Sequence, residues 1–433
     1  MTRESFDREA SMCVRGARTS TVAMAVACYY CTGHGLGHAT RTVEVIKELL
    51  SLEGFREIVL VSSLPTEVFA CLEGEGFRYR QLEQPLDCGG IQSDAFKVEP
   101  LETLQTYHGL CGSEETRQCI VSTETAWLSA NEVSFVLSDS VPIACRCARE
   151  AGIPNALVTN LVWDFIYSEM KSMLDDEHVP QLEAVVDAIA SDYACATFLF
   201  RLPGATPMPV FDGRATQVAS MAEALANGLG KVTEGRAAVI EMPFVVRKPV
   251  RSREETRAAL GIGPSQKILL LSFGGLSGSV SLHVDPETLP EGWVCAVCHG
   301  IWPATDSDIP RDKFLRLPKD AYLPDVIDVI DVILGKIGYG SVSECVVLRK
   351  PLIYVKRANF AEEPYLRAVL ETHGNALELS REDFCAGKWR GAIERADKLR
   401  PTFAGDANGG RRCAEAVAAY LGLGKSDTTH QKG

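Results

Sequence analysis

The sequence predicts an α/β protein built from two doubly wound, Rossmann-like domains facing a cleft, and three observations predict it. Short apolar runs alternate with helical patterns across residues 22–205, and the same alternation restarts near residue 263. Between them "RLPGATPMPVFDGRA" interrupts the pattern with Pro203, Pro207 and Pro209. A chain of 433 residues also exceeds one ordinary core, so two domains are expected.

The elements follow in order. Residues 1–21 are polar and carry Glu4, Asp7 and Glu9, which fits neither a secretory signal nor an acid-poor transit peptide, and they are read as a disordered tail. Residues 22–205 form the N-terminal Rossmann-like domain. Its runs "VAMAVACYY", "EIVLVSS", "VSFVLSD" and "NALVTN" suit strands of a parallel sheet covered on both faces. Val43, Ile46, Leu49 and Leu50 share one stripe of a helix between the first two, and "SVPIACRCARE" leads into another. Residues 206–262 are read as a linker whose insert, 212–237, is Ala-rich and expected as one exposed helix. Residues 263–400 form the second domain, with "KILLLSFGG", "WVCAVCHG", "KFLRLP", "VILGKIG" and "PLIYVKR" as strands. A terminal helix lies within 401–421, and 422–433 is a second polar tail.

Composition removes several classes of function. A net charge of −13 without a dense basic block excludes a general nucleic-acid surface. No apolar run reaches the roughly 18 residues of a membrane span. The 15 cysteines are scattered, many inside apolar runs, and read as reduced thiols of a cytoplasmic protein. Cys28/Cys31 and Cys295/Cys298 have the spacing of a metal pair, but both fall in predicted strands, where residues three apart face opposite ways, so no metal site is expected.

The chemistry gathers in loops that follow strands. "GHGLGHATR", Gly33 to Arg41, joins the first strand to its helix, where bare backbone at Gly35 and Gly37 and the helix N-terminus can approach an anion. A helix N-terminus opposes a second proton on an imidazole, which makes His38 a candidate general base; the alternative is a loop histidine satisfied by carbonyls. Asp139, in "FVLSDSVP", ends another strand at the same sheet edge and can orient that imidazole, or else cap the helix beginning near Pro142. A second loop, "LGKIGYGSVSE", sets Lys336 beside Gly338, Gly340 and Ser341, a combination suited to a diphosphate. Glu344 either completes a capping box with Ser341 or binds a ribose. Glu362 and Glu363, before a later helix, are dipole partners or acceptors for sugar hydroxyls. Gly274 and Gly275 open "GGLSGS", which fits a glycine turn facing phosphates; a sugar-kinase phosphate loop would open a helix, and "SLHVDPETLPEGW" has no such period.

These motifs together resemble the GT-B sugar-nucleotide glycosyltransferases, and more narrowly the N-terminal glycosyltransferase-like half of plant-type L-arabinokinases. "YYCTGHGLGHATRTVEVI", "LDCGGIQSDA", "LSDSVPIACRCAREAGIP", "RLPGATPMP", "LGKIGYGSVSE" and "NFAEEPYLR" carry the likeness over most of residues 22–421. The resemblance implies His38 as base, Asp139 as its partner, and Lys336 where plant relatives have a phosphate-binding histidine. It further implies Gly338 and Ser341 in a diphosphate loop, Glu344 on the ribose, and Glu362 and Glu363 where an Asp-Gln pair holds the donor sugar. The implied function is transfer of a sugar from a nucleoside diphosphate sugar, UDP by analogy, to an acceptor hydroxyl by direct displacement, with no cofactor. A non-catalytic sugar-nucleotide-binding module and a sugar kinase are the alternatives. The kinase half of those longer proteins does not follow in this sequence.

Overall fold

The computed structural model describes residues 24–94, 96–232, 236–274, 285, 287–298 and 312–423; the expected tail 1–21, most of 422–433, and Gly275 with the rest of its loop lie outside them. The first half contains β1 (Ala25–Cys31), β2 (Phe55–Ser62), β3 (Phe77–Gln81), β4 (Gln92–Asp94), β5 (Lys97–Val98), β6 (Phe135–Asp139), β7 (Asn155–Thr159), β8 (Phe198–Arg201), β9 (Thr216–Val218) and β10 (Ala238–Glu241). The second contains β11 (Lys267–Ser272), β12 (Trp293–Val297), β13 (Phe314–Arg316), β14 (Val332–Gly335), β15 (Leu352–Val355) and β16 (Ala376–Leu379).

Two parallel sheets result, ordered β3-β2-β1-β6-β7-β8-β10-β9 and β13-β12-β11-β14-β15-β16. The predicted α/β class and its two doubly wound halves are what the chain adopts. Strands such as β1, β6 and β7 are buried along their whole length because helices cover both faces, which is why they read as continuous apolar runs. Cys28 packs with Val26, Tyr30 and Val136 on one face of the first sheet, and Cys31 with Ala27 and Tyr29 on the other.

Three features go beyond the sequence reading, and the first corrects it. The insert 212–237 is not one helix: Thr216–Val218 is β9, and a helix capped by Ser220 spans only Met221–Ala226. Gly228 and Gly230, at φ 70° and 89°, stop it, and Ala238, Val239 and Ile240 find burial at the sheet edge, so the stretch read as a linker lends two strands to the first sheet. The hairpin β4–β5 reaches across to the second half, where Lys97 bridges to Ala358 and Phe96 packs against Phe273 and Phe384. The terminal helix, Gly409–Leu421, returns to the first half and lies on the helix Leu36–Leu50, so closely that a Cβ on Gly410 would sit 3.1 Å from the Glu44 carbonyl oxygen. No helix among the described residues is long and apolar enough to cross a membrane.

Candidate active site

The two wings of each sheet diverge from a switch point, between β1 and β6 in the first, whose far edge also inverts β10 and β9, and between β11 and β14 in the second. Such points open a crevice beyond the carboxyl ends of the strands, and ligands bind there. Every glycine loop singled out in the sequence leaves one of these two crevices. Register makes the first one tight: Cys31 pairs with Asp139, so the loop that begins at Thr32 starts level with that carboxylate.

His38 lies in the first turn of the helix Leu36–Leu50, whose N-cap, Gly35, needs φ 83°. Its Nδ1 is 2.8 Å from Asp139 Oδ1. Asp139 does not cap the following helix; that position belongs to Val141. The structure thus joins the two residues the sequence paired as base and orienter, and adds one that it did not. Arg41, fully buried one turn after His38, donates from Nε to Asp139 Oδ2 at 2.6 Å and from Nη2 to Oδ1 at 2.5 Å. Its Nη1 donates to Asn160 Oδ1 at 2.6 Å, and its guanidinium lies over the Tyr339 ring of the second half. Burial raises the Asp139 carboxyl, but Arg41 and then His38 outweigh it and hold it at about 2. The legible signal was an arginine on the buried stripe of a helix, beside Ala39, Thr42 and Val43.

Two more groups flank His38. Trp163 meets His34 edge-on at 5.9 Å and stands 6.4 Å from His38 between ring centroids. Burial, with His38 and Lys336 nearby, lowers His34 to about 4. Gly89, at φ 60°, lets His34 lie on its backbone; a Cβ there would be 2.0 Å from the ring.

The second crevice holds the phosphate-like loop. Gly335 closes β14 so near β11 that a Cβ would fall 1.9 Å from the Ser272 carbonyl oxygen. Lys336 follows, with Gly274 beside it across the crevice, 3.5 Å from Lys336 Cε to the position a Cβ would take. Burial and the Arg357 guanidinium pull Lys336 down to about 7, against Glu362 and Glu363. Gly338 is the N-cap of the helix Tyr339–Val347, which leaves the N–H groups of Tyr339, Gly340 and Ser341 at its first turn. The capping box is therefore excluded: Ser341 is the third helical residue and Glu344 the sixth. Glu344 is buried and accepts from Arg247 Nε at 2.8 Å, while burial, more than Arg247 offsets, raises its carboxyl.

The two acids expected at the donor sugar have separate fates. Glu362 accepts from Asn160 Nδ2 at 2.8 Å, a bond between the halves. Glu363 accepts from the Arg357 backbone N–H at 3.1 Å and from its Nε at 2.9 Å, which commits both carboxylate oxygens. The loops meet closely. A cavity of about 10 Å³, the room of one water, remains among Gly37, Arg41, Arg247, Gly340 and Glu344. A roomier apolar cavity of about 390 Å³ beside Pro203, Phe244 and Phe403 contains none of the site residues.

No family model matches the chain. It is 38% identical over 393 residues to an L-arabinokinase of Arabidopsis thaliana, covering 91% of this chain but 34% of that protein, so it spans about a third of its relative's length. Phytolacca americana UGT2, solved with UDP-2fluoro-glucose and pterostilbene, superposes with a TM-score of 0.56 at 14% identity over 92% of this chain and all of that one. The calicheamicin glycosyltransferase CalG4 gives 0.55 at 18% identity over 93% of this chain and all of its own. Arabidopsis thaliana UGT89C1 complexed with UDP gives 0.54 at 12% over 91% and 94% of the two chains. At these identities the likeness establishes the fold.

Proposed function

The chain has the GT-B fold and is a homologue of L-arabinokinase over nearly all its length, and from that premise we propose that it is a glycosyltransferase using a nucleoside diphosphate sugar. The observation that carries this reading is the His38–Asp139 pair, 2.8 Å apart at one switch point, facing the Lys336 loop at the other. Asp139 accepts a hydrogen bond from Nδ1–H, so Nε2 offers its lone pair to the acceptor hydroxyl. As that oxygen attacks the anomeric carbon, charge develops on the leaving diphosphate. Lys336 and the first-turn N–H groups of Tyr339, Gly340 and Ser341 meet it, so the reading routes no step through a metal. UDP is the donor nucleotide by analogy, with Glu344 on its ribose and Glu362 on its sugar. Glu344 must then leave Arg247 or share it.

One observation favours a second reading: the homologous segment is a third of a protein named for a kinase, which suits a module that binds a sugar nucleotide without turning it over. Release of UDP from a panel of UDP-sugars, with simple sugars and phenols as acceptors, separates the two. Turnover that His38→Ala abolishes while calorimetric UDP-sugar affinity is retained supports the transferase. Binding without turnover supports the module, and absence of binding overturns both.

A further inference from the structure

The base pair has a third member. Asp139 is fully buried, and its carboxylate meets the Arg41 guanidinium and the His38 imidazole. Arg41 occupies both carboxylate oxygens, and its Nη2 lies 2.9 Å from His38 Nδ1. With the proton on Nδ1, both nitrogens donate to Oδ1. If Nδ1 instead accepted from Arg41, its lone pair would face the carboxylate at 2.8 Å, a repulsive contact. The arrangement is coherent with Nδ1–H on Asp139 and Nε2 unprotonated.

We infer that Arg41 is a positioning residue: it supplies the positive charge that balances Asp139, so that no additional proton has to, and Nε2 of His38 stays free to act. This rests on the reading of His38 as base.

The reason is charge balance inside a dry pocket. A lone buried carboxylate is costly, and a proton will neutralise it when no cation does. Without Arg41 the pair gains that proton at neutral pH, and its location hardly matters. On the imidazole it gives a cation with Nε2–H. On the carboxyl it points at Nδ1 and forces the Nε2–H tautomer. Either way the base is blocked, and the two groups titrate as a unit. The other groups facing His38 do not replace Arg41: His34, lowered to about 4, is neutral, Trp163 does not titrate, Lys336 lies across the crevice beside His34, and the Glu362 carboxyl, which brings no positive charge, meets Asn160. Arg41 also touches the second half through Tyr339, so the charge that frees the base is anchored on both sides of the cleft.

The test is nitrogen-15 NMR of the imidazoles in the free protein, with the His38 signals assigned from their loss in His38→Gln. It needs no acceptor and no turnover, so it stands apart from the transferase reading. Wild type should show Nδ1–H with Nε2 unprotonated at pH 7. Arg41→Met should show Nε2 protonated at pH 7 and lose that proton only as the pH rises, while Arg41→Lys, which restores the charge, should resemble wild type. If Arg41→Met does not fold, Arg41→Gln, which keeps an amide donor for Asp139 but carries no charge, takes its place, and Nε2 should again be protonated at pH 7. A wild type with Nε2–H, or a folded Arg41→Met or Arg41→Gln with free Nε2, would overturn the inference.

Discussion

Lys336 makes binding of the donor depend on pH with a sign that the structure fixes. Its ammonium is held at about 7 by burial and Arg357, so a diphosphate, which needs the charged form, must draw a proton from solution when it binds above that value. Taking about 7 for the free protein, the lysine is about nine-tenths charged at pH 6 and about one-tenth at pH 8. Affinity should fall about tenfold between them, or about 1.4 kcal/mol. Uptake should be about half a proton at pH 7 and about 0.9 at pH 8. Titration calorimetry with UDP-glucose, a diphosphate diester without a group of its own near pH 7, in two buffers of different ionisation enthalpy measures both quantities. Asp87, pushed up to about 7 by burial against its Thr32 hydrogen bond, titrates in the same range. The control is Lys336→Arg, which keeps a permanent charge and should bind with flat affinity across this range. Affinity of the wild type that does not change from pH 6 to 8, or equal proton uptake in Lys336→Arg, would refute the assignment of Lys336 to the diphosphate.

Three further outcomes are expected. Asp139→Asn leaves the Arg41 guanidinium buried without its counter-charge and should cost about 3–5 kcal/mol in urea unfolding at pH 7. Because the folded carboxyl is depressed to about 2, this advantage of the wild type is full above its unfolded value near 4 and should shrink as pH falls through 2; a deficit under about 1 kcal/mol at pH 7 would contradict the burial argument. Glu344→Gln should weaken UDP binding about five- to thirtyfold, the scale of one charge-assisted hydrogen bond. Equal calorimetric affinities of wild type and Glu344→Gln would remove Glu344 from the ribose. Gly335→Ala forces a Cβ into the Ser272 carbonyl oxygen, 1.9 Å away in the present backbone, and should lower the melting temperature by at least about 4 °C; an unchanged melting curve would show that β11 and β14 separate freely.

The sequence by itself determined the two sheets, the loops that leave their switch points, and the residues standing in them. Runs such as "AVACYYC" and "VILG" must be buried strands because their apolar residues have no solvent face, and the glycines after them mark where backbone turns toward a ligand. It also placed His38 and Asp139 at one edge, since both follow strands of the same half. It could not decide what each charge would face. Arg41 reaches Asp139 across 98 residues and Arg247 reaches Glu344 across 97 because strand order brings β1 beside β6 and returns the chain past the second half. "SVSE" reads as a capping box until Gly338 takes the N-cap and turns Glu344 into the helix interior. The tail of the first sheet was hidden for the same reason: β9 and β10 are short, and burial at an edge, rather than any period in 206–262, makes them strands. Hydrophobic periodicity is written into neighbouring residues and survives without coordinates; ion pairing in a buried cleft is a property of distance between segments, and only the folded chain sets those distances.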